Sequence, residues 1–503
     1  MNAFTNGNKW QKFKLQNMAN IKSEMIKGVL WTAVQNYSGI IIQLGITAIL
    51  ARLLSPDEFG IVAIATVLIV FFQLFSEMGL GASIIQNQEL DKRDVDIIFS
   101  FSVYVGVVLA VLFFFSSFLI AYFYGNEELI LICQLLSLVL LFASFNVVPN
   151  ALIQKSKRFR FIALRTLCFQ LIGGFVSAIM AIYGCGYFSL LFAPIFTAIG
   201  CFIVNYREVP LRFYSRFDFS SIKKIFSYSL YLFLFNIFNY FTRNLDKLLV
   251  GRGFGLSDLG YYEKSYRLMM LPLQQVTHII NPVLHPVLTQ LQSNYYALAI
   301  NYAKIIKLLA IIGFPLSILL YFTAEDLILI VFGKQWLLSV PVFKILALSV
   351  PTQIVMSSTG GIFQSAGRTD LLFYAGSFHS INTIIGFLVA TLFFGQINAV
   401  AWAIVLTFNV QLLIALFCIY NIALKQSISL AVKELVHPLL LSASLFCILF
   451  FWINNFSNPF VDLVIKTVIV LFFSCVYIQF FHLYDLLDII KQALYKTNKY
   501  GRK

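Results

Sequence analysis

The chain has 503 residues, of which 60% are hydrophobic and only 12% charged, and its formal net charge is +14. Soluble proteins carry about 25% charged residues and about 45–50% apolar ones. A soluble multidomain enzyme and a disordered chain are therefore excluded, and lipid must be the solvent for most of the sequence. In a soluble protein the positive charge would point to nucleic acid. In a membrane protein it follows from Lys and Arg collecting in cytoplasmic segments, so no nucleic-acid partner is expected.

Residues 1–27 contain Lys9, Lys12, Lys14, Lys22 and Lys27 without the apolar core of a secretory signal, and are expected to form a basic cytoplasmic arm. A helix needs about 20 mainly apolar residues to cross a bilayer. It must also satisfy its own backbone polar groups there. Apolar runs predict spans at 28–50, 60–84, 97–122, 128–150, 161–183 and 187–206. After a basic break come 223–250, 265–290, 301–322, 340–363, 371–394 and 398–424, then 435–455 and 459–481. The expected fold class is an all-α integral membrane protein of about fourteen transmembrane helices.

The domain reading follows the same order. It comprises an N-lobe at 28–206, a cytoplasmic linker at 207–222, a C-lobe at 223–424, a terminal helix pair at 425–482 and a basic tail at 483–503. With both termini cytoplasmic, 27 of the 36 Lys and Arg fall on the cytoplasmic side and five in external turns, as the positive-inside rule requires. External turns are short, with no room for an extracellular catalytic domain, so function must reside in the bundle.

A repeat appears at an offset of 200: ARLLSPDEFG at 51–60 and GRGFGLSDLG at 251–260. Arg52 matches Arg252 and Gly60 matches Gly260. The copies join spans 1 to 2 and 7 to 8, so an even number of spans separates them and the repeats are parallel. Parallel repeats related by an axis along the membrane normal are a transporter architecture. The competing explanation is two unrelated external turns, since Asp and Gly are common turn residues.

Three stretches carry a family resemblance: ARLLSPDEFGIVAIATVLIVFFQLFSEMGLGASIIQ at 51–86, FTRNLDKLLVGRGFGLSDLGYYEKSYRLMMLPLQQV at 241–276, and FGKQW at 332–336 followed by Pro351, Gly360 and GRTD at 367–370. The sequence resembles the Wzx-type polysaccharide exporter branch of the multidrug/oligosaccharidyl-lipid/polysaccharide flippase superfamily, and within it the colanic-acid-exporter-like lipopolysaccharide biosynthesis proteins. The last two spans resemble the extra pair of fourteen-span members such as the lipid II flippase.

The resemblance implies two six-helix lobes around a central cavity, working by alternating access in a bacterial cytoplasmic (inner) membrane. It implies a polyprenyl-pyrophosphate-linked oligosaccharide as cargo, destined for O-antigen, capsule or exopolysaccharide, and no enzymatic activity. A polysaccharide polymerase and a chain-length regulator are the partners it implies.

Ionisable residues inside spans are costly and are functional candidates by default. Arg243 and Lys247 are four apart and share a helix face, with Asp246 placed to pair with Arg243. Two cations against one carboxylate leave a net positive face suited to phosphate or an acidic sugar. Asn236, Asn239 and Asn244 add amides for sugar hydroxyls. The alternative is a structural cluster whose cations reach the external interface. Glu77 in span 2 is a candidate for ion coupling; its alternative is a structural pair with a cation such as Arg165.

Glu263, Lys264 and Arg267 read more simply as a solvated helix start. Gly251, Gly253 and Gly255 read as a tight turn, and His278, His285 and His379 as polar helix contacts, so no metal or other cofactor is expected. The seven Cys show no CxxC spacing and read as small buried hydrophobes. Two other functions remain in view. One is a small-molecule ion antiporter of the same superfamily. The other is a membrane polysaccharide polymerase or ligase, which the short external turns disfavour.

Overall fold

The computed structural model of the chain describes residues 4–87, 89–214, 233, 237, 240, 243–451 and 458–483. Among these residues every regular element is a helix. The chain divides into two compact units, Met1–Asn244 and Leu245–Lys503.

The first unit contains α1 (Phe4–Leu53), α2 (Pro56–Glu77), α3 (Leu80–Gln86), α4 (Lys92–Tyr124), α5 (Glu128–Lys155), α6 (Phe159–Ile182) and α7 (Phe188–Glu208). The basic arm is continuous with the first span, because α1 runs unbroken from Phe4. Helices α4 and α5 form the closest pair, α5 also packs on α2 and α7, and α6 lies between α1 and α7.

The packing is that of a membrane protein. Large apolar side chains such as Phe115, Leu119 and Phe175 point outward, while Ser117, Ser144 and Ser177 are fully buried. Lipid is as apolar as leucine, so helices associate by close approach of small residues rather than by hydrophobic burial. Gly106 of α4 shows this: a Cβ there would come within 2.5 Å of Ser144 Cβ on α5. Polar caps fix the helix starts. Ser55 and Glu58 form a reciprocal capping box on α2, and Asp91 with Asp94 forms another on α4.

The second unit begins with the helical residues 243–253, of which Leu245 onward belong to it; they are called α8 here. It continues through α9 (Leu256–Thr289), α10 (Tyr295–Phe322), α11 (Ala324–Val331), α12 (Ser339–Ala347), α13 (Val350–Met356) and α14 (Thr359–Ser365). Then come α15 (Thr369–Val389), α16 (Ile397–Phe417), α17 (Ser429–Phe450) and α18 (Pro459–Phe480). Helix α10 is central, packing on α17 and α13, while α9 packs on α12 and α15 on α16. The terminal pair is seated on α10 through Ile318, Leu441, Leu445, Leu449, Val470 and Tyr477.

Among the described residues eleven helices are long and apolar enough to cross a membrane, or up to twelve if Ser339–Ala347 and Val350–Ser365, bent by 44°, count as one span. They correspond to the expected spans 1–6, 9 and 11–14, with the bent pair at span 10. Helix α9 covers the expected eighth span but is not among the eleven: the stretch after Arg267 has no charged residue, but Gln274, Gln275, His278, Asn281 and His285 lower its hydropathy. Of the expected seventh span, 223–250, only residues 233, 237, 240 and 243–250 are described. Residues 215–222 of the linker and 484–503 of the tail lie outside the described residues.

The two repeat segments sit at equivalent helix boundaries. Helix α1 ends at Leu53 and α2 starts at Pro56; α8 ends at residue 253 and α9 starts at Leu256. Gly60 and Gly260 are buried, and Arg52 and Arg252 are exposed. The caps differ in chemistry. Ser55 caps α2 through its side chain, whereas Gly255 opens α9 at φ +100°, a conformation that disfavours other residues.

Of the cysteines, Cys133 and Cys201 are buried and Cys418 is intermediate, but Cys168, Cys185, Cys447 and Cys475 are exposed. Cys185 lies in the turn between α6 and α7, where the apolar runs place it, and the expectation of small buried hydrophobes is corrected at Cys168, Cys447 and Cys475. In a chain solvated by lipid, an apolar thiol on the outer helix surface costs little.

Candidate functional site

The polar residues of α8 and the first turns of α9 form one cluster in the second unit. Asp246 is 2% exposed and Tyr262 is fully buried. The Tyr262 hydroxyl donates to Asp246 Oδ2 at 2.6 Å, while Asp246 Oδ1 is buried without a partner. Tyr266 lies one turn further along α9, its ring stacked on Tyr262 at 6.1 Å between centroids. The Lys247 ammonium stands 5.7 Å above the Tyr266 ring, within range for a cation–π attraction.

The charge balance of the cluster is positive. The Glu263 carboxylate feels Lys264, Arg267 and Lys247, and Lys247 also acts on Asp246. From Leu245 onward α8 and α9 carry Lys247, Arg252, Lys264 and Arg267 against Asp246, Asp258 and Glu263, a net charge of +1 for these two helices.

The structure gives Asp246 a different partner from the one expected. Its carboxylate is held by Tyr262, while Arg243 is exposed and enters no ion pair among the described residues. Asn244 turns its amide to the Tyr240 carbonyl at 3.0 Å. Asn236 and Asn239 lie outside the described residues.

Lys264 is not part of a solvated helix start. It is 2% exposed. Its ammonium lies 3.9 Å from Glu263, 6.0 Å from the Phe332 ring and 5.9 Å from the Trp336 ring. The FGKQW stretch therefore supplies an aromatic wall for a buried cation. Trp336 is itself fully buried, with Tyr261 edge-on to it at 5.9 Å. Ser265 Oγ donates to the Ser339 carbonyl at 2.9 Å, tying α9 to α12. Tyr262, Lys264 and Trp336 were not singled out as a group by their sequence spacing. The only sequence signal for them is that both stretches carry the family resemblance.

Glu77 ends α2 in the first unit. Met78 at φ +39° and Gly79 at φ +70° break the helix immediately after it. Glu77 is exposed and forms no ion pair among the described residues. Its alternative partner, Arg165, is bonded instead to Asn205 and Asn150.

The comparisons with known proteins agree with this architecture. The family profile described as "Polysaccharide biosynthesis protein" matches residues 49–341, more than half of the chain. The protein belongs to this polysaccharide biosynthesis family. The teichuronic acid biosynthesis protein TuaB of Bacillus subtilis (strain 168) is 26% identical over 436 residues, 86% of this chain and 90% of its own length. The lipopolysaccharide biosynthesis protein WzxC of Escherichia coli (strain K12) is 27% identical over 368 residues, 70% of this chain and 72% of its own. Among solved structures, the lipid II flippase MurJ in an inward closed conformation shares the fold. Its TM-score is 0.70 at 15% identity, covering 92% of this chain and 100% of that one. The chain is a multi-pass membrane protein of polysaccharide biosynthesis.

Proposed function

We propose that the protein is a flippase that carries a polyprenyl-pyrophosphate-linked oligosaccharide repeat unit across the bacterial cytoplasmic membrane by alternating access. The polymer it serves is an O-antigen, a capsule or an exopolysaccharide. The observation that carries this reading is the net cationic cluster on α8 and α9. Asp246 is engaged by Tyr262, so its charge is not spent on Arg243. Within the second unit Lys247, Arg252, Lys264 and Arg267 outnumber Asp246, Asp258 and Glu263, a net positive charge that suits a pyrophosphate. Arg243 is a further candidate cation. Asn239 and Asn244 are the accompanying amide candidates for sugar hydroxyls, and Glu77 is the candidate for ion coupling.

The names of similar proteins support the same reading, since they include polysaccharide and lipopolysaccharide biosynthesis proteins and a lipid II flippase. In this proposal residues 28–206 and 223–424 act as two repeated lobes joined by the 207–222 linker, with both termini cytoplasmic. A polymerase and a chain-length regulator act downstream of the transported unit.

The test uses a deletion strain that also lacks the polymerase. Polyprenyl-linked repeat unit is quantified on each leaflet by mass spectrometry, with an external glycosidase as the sidedness probe. The unit is expected to be made but protected, and to become accessible on complementation. Normal exposure without the protein would overturn the reading. Drug resistance on overexpression without any polymer defect on deletion would favour the ion antiporter instead. Polymerisation by purified protein supplied with already flipped substrate would favour a polymerase. Arg243→Ala at wild-type surface level is expected to reduce polymer; undiminished polymer would remove that residue from the mechanism.

A further inference from the structure

The first unit holds a second cation site, formed by Arg165 of α6 with three asparagines from α5 and α7. Arg165 Nη1 donates to Asn205 Oδ1, and Nη2 donates to Asn150 Oδ1 at 3.3 Å. Asn205 is fully buried, and its amide passes the polarity on by donating to Asn146 Oδ1 at 2.7 Å. Asn146 and Asn150 are one helical turn apart on α5, so they present both amides on one face.

Two features of this network are unusual for an arginine that is only partly exposed. No carboxylate joins it: among the described residues the guanidinium has only neutral amide acceptors. Glu208, which ends α7, is taken by Arg158 at 2.5 Å. A cation removed from water without a counter-charge is costly. In addition, Arg165 Nε is buried with no acceptor, and a buried unsatisfied donor carries its own penalty.

The direction of the hydrogen bonds determines what could relieve both costs. The guanidinium has no acceptor lone pair, so Asn205 and Asn150 must turn their oxygens toward it. The Asn205 amide then occupies Asn146 Oδ1. The groups left over are donors: Arg165 Nε and the amide nitrogens of Asn146 and Asn150. A site with a full positive charge and only donors unspent accepts an anion. The planar guanidinium favours one with two or more oxygens, such as a phosphate.

The site also lies near helix ends. Arg165 is six residues into α6, about 9 Å along its axis, and Asn205 is three residues from the end of α7, about 5 Å. These helix ends adjoin the basic segments that contain Lys155, Lys157, Arg158, Arg160 and Arg207, on the side expected to be cytoplasmic. Those other cations are largely engaged. Lys155 donates to the Ile84 and Asn87 carbonyls at 2.8 and 2.6 Å, and Arg160 stands over the Trp31 ring at 5.5 Å.

We infer that Arg165, Asn146, Asn150 and Asn205 form a phosphate-binding site at the cytoplasmic face of the first unit, distinct from the cluster on α8 and α9. Its ligand is the phosphate of an amphiphile at that face: either the pyrophosphate of the lipid-linked cargo or the phosphodiester of an anionic phospholipid. The first source rests on the flippase reading; the site itself does not.

The experiment uses the full chain in detergent and native mass spectrometry, with polyprenyl pyrophosphate, phosphatidylglycerol and inorganic pyrophosphate as separate probes. Thermal unfolding of each variant is measured alongside. Arg165→Gln is expected to weaken binding by at least about tenfold, the scale of one charge-assisted contact. Asn150→Asp is the decisive second variant. It supplies the missing counter-charge beside Nη2, so it should leave the fold at least as stable while reducing anion binding by a similar factor. A purely structural arginine would gain stability from Asn150→Asp with no change in binding.

Binding of polyprenyl pyrophosphate that both variants lose supports the site and assigns it to the cargo. Binding confined to phosphatidylglycerol and lost in both variants supports it as a lipid headgroup site, leaving the flippase reading to the leaflet assay. Absence of binding by the wild type, or equal binding by wild type and Asn150→Asp, overturns the inference.

Discussion

The Tyr262 hydroxyl donates to Asp246 Oδ2 across 2.6 Å, joining α8 to α9 through two side chains that are almost wholly removed from solvent. It gives the carboxylate a neutral donor in place of Arg243, which enters no ion pair among the described residues.

Removing the donor should therefore hurt the fold. Tyr262→Phe removes the side-chain donor to a buried carboxylate whose Oδ1 has no hydrogen-bond partner among the described residues. The expected cost is about 1–3 kcal/mol, read as a lower unfolding temperature in detergent. Asp246→Asn keeps an acceptor for Tyr262 and removes the buried charge, so its stability should be equal or higher. Its polymer export is expected to fall at unchanged surface level if the carboxylate serves transport. Export at the wild-type rate would assign Asp246 a structural role alone.

Lys264 separates packing from charge in the same region. Its ammonium faces the rings of Phe332 and Trp336. Lys264→Met preserves the volume and leaves Glu263 the charges of Arg267 and Lys247, so it is expected to lower the unfolding temperature less than Lys264→Ala does. Lys264→Ala opens a cavity beside Trp336 and should cost about 2 kcal/mol or more. Equal loss in both variants would show that the charge, not the packing, holds this wall.

A buried ion triad fastens the terminal helix pair. Lys466 of α18 lies 3.0 Å from Asp326 of α11 and 2.5 Å from Asp462, and it also donates to the Phe322 carbonyl at 3.0 Å. Lys466→Met strands two buried carboxylates, for an expected loss of about 3–5 kcal/mol. Asp326→Asn leaves Lys466 its Asp462 partner and should cost less. Thermal unfolding of the two variants checks the order.

The caps at the two repeat turns make opposite demands. Ser55→Ala removes the side-chain cap of α2 and should cost about 1 kcal/mol. Gly255→Ala places a Cβ on a residue at φ +100° and should cost at least about 1 kcal/mol through backbone strain. Gly255→Ser would suffer the same strain, although serine is the residue at the matching position 55. A Gly255→Ser variant as stable as wild type would contradict this account.

The membrane class was legible in the sequence because it depends on local composition. A span must be apolar along its whole length and must bond its own backbone, so hydropathy alone reveals it. The break between α1 and α2 was legible for a related reason: Ser-Pro-Asp-Glu at 55–58 carries its cap in adjacent residues. Lys264 was misjudged because its aromatic wall comes from residues about seventy positions away. Arg165 was considered only as a partner for Glu77, because its three asparagines lie on helices that the linear sequence does not place together.

The sequence by itself therefore determined the solvent of this protein, most of its helix boundaries and the sign of its charge distribution. These follow from the short-range requirements of a chain in lipid. Only the tertiary structure decided which polar side chains neutralise one another and which remain open. Inside a bilayer-spanning bundle a polar group is satisfied by whatever the facing helix presents. That choice depends on helix rotation and approach, as when Asp246 meets Tyr262 and Arg165 meets Asn205.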